Sequence, residues 1–375
     1  MEEDLEIDIM KGKTKSSLLS TLKGRWWLID EKNTIFDKII RGFTDFICHF
    51  PEPIRKRAFT YIDKSVFAIS RIITILNQIF LKGYIVSGQE KFSGERITIL
   101  FISEKDLCQY LKSIIFLKNP QIEKSFKINI INYNKKVKKL KSKIDGVFVK
   151  CDRFYSGYFE KKGFTIIPEW VTMKLDISEP LDDIYKNLSK GAKEEIRKIK
   201  KHGFTYEISQ DKNMLELFYN KMYLPYITHK YGEIDTCANF YAFQHLFERG
   251  SKILFVKLED EYLFGGLFSK NKNKVSATYA GVMEGKYDYI QKGAIAASYY
   301  YLIQHSKEKG ANEINFGSCR SFLNDGVYSY KRKWATIVDK MNNTSTQVYS
   351  FKNISDKPGI KSFIDNNPFA TIERT

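Results

Sequence analysis

The chain has 375 residues, and its 43% hydrophobic content is enough for more than one packed core. Lysine and arginine outnumber aspartate and glutamate by 61 to 44, which gives a formal net charge of +17. This charge favours a polyanionic partner, such as a nucleic acid, a phosphate-bearing cofactor or a phospholipid surface. The five cysteines are scattered and odd in number, which argues against a disulfide framework and against a zinc site.

The N-terminal segment, taken as residues 1–90, is predicted to contain a pair of helices. Apolar residues recur at helical spacing over residues 34–50 and again over residues 62–80. Lysine and arginine flank the second apolar stripe. Such a stripe is typical of a helix that packs on the protein or on a second subunit, as in a homodimer, and also of a helix in an anionic membrane interface. The acidic N-terminus has no apolar signal core, and we expect a cytoplasmic protein, either free or peripheral on the inner face of the membrane.

Residues 91–178 are predicted to form a second domain in which strands and helices alternate. Three short β-rich runs occupy residues 97–102, 127–131 and 146–149. Helical patterns cover residues 104–116, 135–143 and 155–162, and a β-hairpin is expected near residue 170.

Residues 179–375 are predicted to form the third domain. A basic helical segment broken at Gly191 ends at Gly203, and helices follow around Phe218 and Phe243. Three strands, over 252–258, 262–269 and 274–282, precede a helix over 294–305 and a strand over 312–316. The predicted fold class is α+β, with two mixed, mostly antiparallel sheets flanked by helices.

Two motifs in this third domain resemble a known family. The strand before Gly317 leads to an Asp-Gly turn and then to Tyr330-Lys331 with Trp334, and the run LSKGAKEEIRKIKKHGF lies upstream. Their order resembles the Fem-like branch of the GNAT acyltransferase superfamily. That branch includes the aminoacyltransferases that build peptidoglycan cross-bridges and acetyltransferases of the second BioF-like kind. The resemblance implies two GNAT-like domains and an N-acyltransferase.

The resemblance also implies roles for particular residues. Lys331 is the first catalytic candidate, because its charge would stabilise negative charge at the reacting carbonyl. Asp325 is a candidate base or a turn residue. Tyr330 is a candidate proton carrier or part of the wall of the active site. A GNAT fold binds the donor between two splayed strands and at the helix N-terminus that follows the third strand. The candidate cofactor-binding residues are Gln291, Lys292, Gly293, Ala294, Gly317 and Ser318. The candidate substrate-binding residues are Lys190, Arg197, Tyr279 and Trp334.

The predicted reaction moves an acyl group from an acyl-CoA to an amine acceptor by direct attack. The acceptor is expected to be lipid-linked or envelope-linked. One alternative is an aminoacyl-tRNA donor, and another is an inactive GNAT fold that binds nucleic acid or a membrane. The histidines lack the spacing of metal ligands, so no metal is expected.

Overall fold

A computed structural model describes residues 68–372, except 69–70, 73, 105–107, 131–132, 232–237, 239 and 341–345. The described chain forms two compact units. The central unit is residues 176–315, and the split unit combines residues 68–175 with residues 316–372. The predicted helix over 34–50 and part of the one over 62–80 lie outside the described residues, and residues 74–77 of the second are helical. Within the described ranges, no helix is long and apolar enough to cross a membrane.

The strands of the split unit come from both of its chain segments. They are β1 (Phe80–Gln89), β2 (Arg96–Ser103), β3 (Gln121–Asn129), β4 (Gly146–Asp152), β5 (Thr165–Pro168), β6 (Trp170–Asp176), β12 (Ile337–Asp339) and β13 (Gln347–Asn353). Six of them form a sheet in the order β3-β1-β2-β4-β13-β5. Its pairs are antiparallel except β2 with β4, which is parallel. β12 pairs antiparallel with β6.

The middle of this sheet is apolar on both faces. In β2, Ile99 and Phe101 join one buried cluster, while Leu100 and Ile102 join another. Successive side chains of a strand point to opposite faces, so a continuous apolar run is buried on both sides. The helices of this unit are α1 (Gln109–Ile115), α2 (Tyr133–Leu140), α3 (Ser156–Glu160), α11 (Gly326–Trp334) and α12 (Pro358–Asn366).

The central unit contains the strand order expected of a GNAT core. Its strands are β7 (Phe204–Ser209), β8 (Lys252–Leu258), β9 (Glu261–Asn271), β10 (Lys274–Val282) and β11 (Glu313–Arg320), which continues into the split unit. Each strand from β7 to β10 pairs antiparallel with the next one in the chain, and β11 pairs parallel with β10. A helix lies between β10 and β11 in the chain, as a parallel connection requires. The predicted fold class, two mixed and mostly antiparallel sheets with flanking helices, is confirmed.

The helices of the central unit match most of the predicted helical patterns. They are α4 (Leu181–Asn187), α5 (Lys190–His202), α6 (Lys212–Leu217), α7 (Leu224–Tyr231), α8 (Phe240–Glu248), α9 (Tyr287–Lys292) and α10 (Ala294–Glu308). A π-helical turn, Phe218–Tyr223, joins α6 to α7. Phe218 and Met222 pack with Phe243 in a buried cluster, as their helical spacing predicted.

Several elements differ from the predictions. The break between α4 and α5 falls at Leu188 and Ser189, not at Gly191, because the Ser189 side chain caps α5 by accepting from the N–H of Ala192. β1 begins at Phe80, where the helical stripe was expected to continue. The third domain, expected over residues 179–375, divides instead after Asn315. The reason is that β13 pairs with β4 and β5 and so joins the C-terminal segment to the split unit.

Candidate functional site

In the central unit, β10 pairs in parallel with the start of β11. Their parallel pairing covers only the stretch Lys274–Ser276 of β10. β10 continues to Val282 with β9 as its partner, and a bulge after Ala277 shifts the register. Thr278 and Ala280 are exposed. Both residues lie beyond the stretch of β10 that pairs with β11, where an extended ligand could pair with the strand backbone.

The helix that follows β10 presents its N-terminus without a side-chain cap. Gly293 precedes α10 with φ of 101°, a left-handed conformation that glycine adopts without steric cost. The N–H groups of residues 294–296 have no hydrogen-bond acceptor in the described part of the chain. Ala294 and Ala296 are buried, and Ile295 between them is half-buried. Unpaired N–H groups and the helix dipole together favour an anion at a helix N-terminus.

Two lysines add positive charge next to this helix in the chain. The Lys292 Nζ lies 5.4 Å from the centroid of the Tyr289 ring, and the Lys286 Nζ lies 5.5 Å from it. Gln291 and Lys292 are exposed. The predicted cofactor-binding residues Gln291 to Ala294 therefore form one continuous corner between α9 and α10.

The predicted substrate-binding residues of the central unit are not gathered at this corner. Lys190 and Arg197 are exposed on α5, whose opposite face buries Ile196 and packs against α10. Tyr279 stacks on Phe243 with ring centroids 4.4 Å apart and an interplanar angle of 24°. Its ring is part of an aromatic cluster, so any contact with a ligand would use its edge or its hydroxyl.

In the split unit, Asp325 acts as the N-cap of α11. Its Oδ1 accepts from the backbone N–H groups of Val327 and Tyr328, both at 3.0 Å. Its Oδ2 accepts from the Tyr110 hydroxyl at 3.3 Å. Both carboxylate oxygens therefore accept from groups of the protein, as expected of a turn and capping residue.

Lys331 lies half-buried on α11, where its Nζ donates to the backbone carbonyl of Ser318 at 3.0 Å. Gly317, with φ of 79°, turns the chain immediately before that carbonyl. Burial raises the pKa of the Cys319 thiol to about 12, although the nearby Lys331 charge opposes the shift. The thiol is therefore protonated at neutral pH and is not a nucleophile. The structure thus places Lys331 next to Ser318 and Gly317.

The two aromatic residues of the same motif differ in accessibility. Tyr330 is half-buried, and the Lys333 Nζ lies 5.1 Å from its ring centroid. Trp334 is completely buried, so its ring is a core group and offers no surface to a substrate.

A charged cluster near the end of β11 was not predicted from the sequence. The Oε1 of Glu169 accepts from Lys150 Nζ at 2.8 Å, from Arg320 Nη1 at 2.9 Å and from the Tyr349 hydroxyl at 3.2 Å. Glu169 is buried, and four different strands or strand ends supply these groups. The sequence signal was a lone carboxylate in the apolar run Ile166–Val171, since a buried charge requires a partner.

Aromatic rings hold the guanidinium of Arg320 in place. Its central carbon lies 3.9 Å from the ring centroid of Trp170 and 4.7 Å from that of Tyr110. Tyr110 in turn donates to Asp325, the cap of the helix that carries Lys331. The cluster and the Lys331 motif are therefore linked within the split unit.

The charges of this cluster perturb its titratable groups. Burial alone would raise the pKa of Glu169, but Lys150 and Arg320 outweigh it and hold that pKa below its ordinary value. Burial, and then the Glu169 charge, raise the pKa of Tyr349 far above its usual range. At neutral pH the cluster therefore contains an ionised Glu169 and a neutral Tyr349. Among the described residues, no group of His, Cys, Asp and Glu is arranged to hold a metal ion.

Comparisons with known proteins give only distant structural similarities. No protein-family model and no curated protein matches the sequence. The solved structure of FemX is similar over 68% of this chain and 80% of its own, at 15% identity and a TM-score of 0.39. L-PGS from Bacillus licheniformis is similar over 74% and 87%, at 12% identity and a TM-score of 0.36.

A GCN5-related N-acetyltransferase from Sphaerobacter thermophilus is similar over 68% of this chain and 73% of its own, at 9% identity and a TM-score of 0.33. The structural neighbours include Fem-like and GNAT proteins. At such low identities and TM-scores they assign no function, which has to be inferred from the residues of this chain.

Proposed function

We propose that the chain is an N-acyltransferase that moves an acyl group from an acyl-CoA thioester to an amine. The observation that supports this most directly is the geometry of β10. Its pairing with β11 covers Lys274–Ser276, and the exposed residues Thr278 and Ala280 beyond that stretch would offer backbone groups to an extended donor arm. The next long helix, α10, has an uncapped N-terminus for the donor's phosphates, and Lys292 supplies a nearby positive charge.

The proposed reaction needs no covalent enzyme intermediate. The amine attacks the thioester carbonyl, a C–N bond forms, the C–S bond breaks, and the CoA thiolate leaves and takes up the proton that the amine loses. The high pKa of Cys319 is consistent with this scheme, because a protonated thiol is a poor acyl acceptor. Lys331 remains the candidate for stabilising the carbonyl oxyanion.

An aminoacyl-tRNA is the alternative donor, and the net charge of +17 favours it. Arg197, Lys198, Lys200 and Lys201 are exposed on α5 and would suit a phosphate backbone. A lipid-linked acceptor and peripheral membrane attachment stay predictions, because they depended on the apolar N-terminal segment.

The first test is thermal unfolding of the full chain with free CoA, acetyl-CoA, a long-chain acyl-CoA and charged tRNA. A ligand that binds the folded state raises the unfolding temperature by mass action. We expect a shift with CoA thioesters that is weaker in Lys292→Gln and unchanged in the control Lys200→Gln, an exposed lysine of the same unit.

Each outcome separates the candidate functions. A shift with tRNA alone would replace acyl-CoA by aminoacyl-tRNA as the donor. Strongly salt-dependent RNA or membrane binding, without donor-dependent turnover, would favour an inactive binding fold. An acyl-CoA shift that is equal in Lys292→Gln would contradict the proposed phosphate site.

A further inference from the structure

Arg320 uses only part of its hydrogen-bonding capacity. Its Nη1 donates to Glu169 and to the Tyr349 hydroxyl, at 2.9 Å and 3.3 Å. Its Nε and Nη2 have no acceptor among the residues that the structure describes. The side chain keeps 22% of its surface exposed, so part of it is accessible to a ligand. A guanidinium has five N–H donors in a planar fork that matches the two oxygens of a carboxylate or phosphate.

The neighbouring charges leave an excess of positive charge. Lys150 and Arg320 share one carboxylate, Glu169. The Lys150 Nζ, with 27% of its side chain exposed, has no second acceptor among the described residues. Among the described residues, Glu169 is the one carboxylate that either cation contacts, so the pair of cations keeps one positive charge in excess. An added oxyanion would neutralise it in a partly buried place, where charge pairs interact more strongly than in water.

The packing around Arg320 fixes its orientation before any ligand arrives. Trp170 and Tyr110 lie within cation–π distance, and Glu169 holds one nitrogen. A pre-positioned side chain loses little conformational entropy on binding, so the same hydrogen bonds contribute more to affinity. A flexible surface arginine would lack this advantage.

We propose that Arg320 and Lys150 form a binding site for an oxyanion, a carboxylate or a phosphate carried by the acceptor. The assignment to the acceptor rests on the proposed acyltransferase function, whereas oxyanion binding itself does not. The amine acceptor would then be a molecule that also carries an acidic group, such as an amino acid, a peptide terminus or a phosphorylated amine. Trp170 and Tyr110 would in addition provide flat apolar surfaces beside that group.

The test measures oxyanion binding to the full chain without any acyl donor. The probes are N-acetylglycine, its uncharged primary amide and inorganic phosphate. Binding is detected by changes in the side-chain N–H signals of 15N-labelled arginine and in tryptophan fluorescence. We expect saturable binding of N-acetylglycine or of phosphate, and at least tenfold weaker binding of the amide. Binding of only one of the two anions identifies whether the group is a carboxylate or a phosphate.

Variants separate this site from non-specific attraction to a basic protein. Arg320→Gln should weaken anion binding at least tenfold, while Arg96→Gln, an exposed arginine of the same unit, should not change it. Arg320→Lys keeps the charge near Glu169 but loses the planar fork, so it should fold and still bind more weakly than the native chain. Equal binding by the native chain, Arg320→Lys and Arg320→Gln would overturn the proposal, as would the absence of binding by the folded native chain.

The two proposals fail independently. If no donor binds but anions still contact Arg320, the acyltransferase assignment fails and the anion site stands. The anion site fails alone under a different set of results. In that case donors bind, anions do not bind, and transfer to amines without an acidic group is as fast as transfer to amines that carry one.

Discussion

Replacing Glu169 with glutamine should destabilise the split unit strongly, because it removes the one carboxylate that Lys150 and Arg320 share. The glutamine keeps the shape and one acceptor oxygen, so the change isolates the charge. Breaking a buried ion pair from one side costs about 3–5 kcal/mol. Since Lys150 and Arg320 retain 27% and 22% of their side-chain exposure, water can solvate them in part. We therefore expect the free energy of unfolding to fall by an amount near the lower end of that range, about 3 kcal/mol.

The pH dependence gives an independent check on the same interaction. The pKa of Glu169 is lowered in the folded chain, so its stabilising contribution is present above the unfolded value of about 4.3 and is lost as the pH falls through the folded value. Native stability should therefore fall more steeply than that of Glu169→Gln as the pH drops below about 4.3.

Urea unfolding followed by tryptophan fluorescence measures this effect, since Trp170 and Trp334 lie in the split unit. The control is Glu123→Gln, whose carboxylate is 43% exposed and lies 3.7 Å from Arg96, and it should cost no more than about 1 kcal/mol. A loss below about 1 kcal/mol in Glu169→Gln, with a pH dependence parallel to the native one, would refute the reasoning.

Three further substitutions test other parts of the fold and the site. Lys331→Met should leave the unfolding temperature nearly unchanged and lower turnover about 100-fold, the cost of losing one oxyanion donor; unchanged turnover would remove Lys331 from the mechanism. Gly281→Ala would place a methyl group 2.5 Å from backbone atoms of the π-helical turn, and we expect a loss of at least about 1–3 kcal/mol by urea unfolding, whereas a neutral effect would show that the turn can shift. Ser189→Ala removes the N-cap of α5 and should cost about 1 kcal/mol, with Ser189→Thr as the control that keeps most of the cap.

The elements predicted from the sequence are those with local causes. The strands β8, β9 and β10 follow one another through short connections, and the helix predicted over 294–305 ends before Gly310, which has a positive φ. The missed elements depend on distant partners. β13 pairs with strands almost 200 residues earlier in the chain, and β1 follows residues whose apolar spacing is helical up to Phe80. No local pattern determines such pairings, because they depend on which strands meet in the fold.

The residues of the candidate site also fall into those with local sequence signals and those that depend on distant partners. Lys331 and Ser318 could be predicted because the motif places them on one strand and the helix that follows it. Arg320 and Glu169 could not be paired from the sequence, since they lie 151 positions apart and meet only when their strand ends come together. Asp325 was predicted as a base or a turn residue, and its hydrogen bonds to the start of α11 favour the second role.

The charge pattern around Glu169 is better explained by binding than by stability. A single cation beside Glu169 would have balanced its charge, whereas the second leaves an uncompensated charge in a partly buried place, which costs free energy. The aromatic rings that hold Arg320 add rigidity but do not remove that charge. A bound oxyanion would neutralise this charge and remove its free-energy cost. The site would therefore bind the oxyanion more tightly than a site without excess charge.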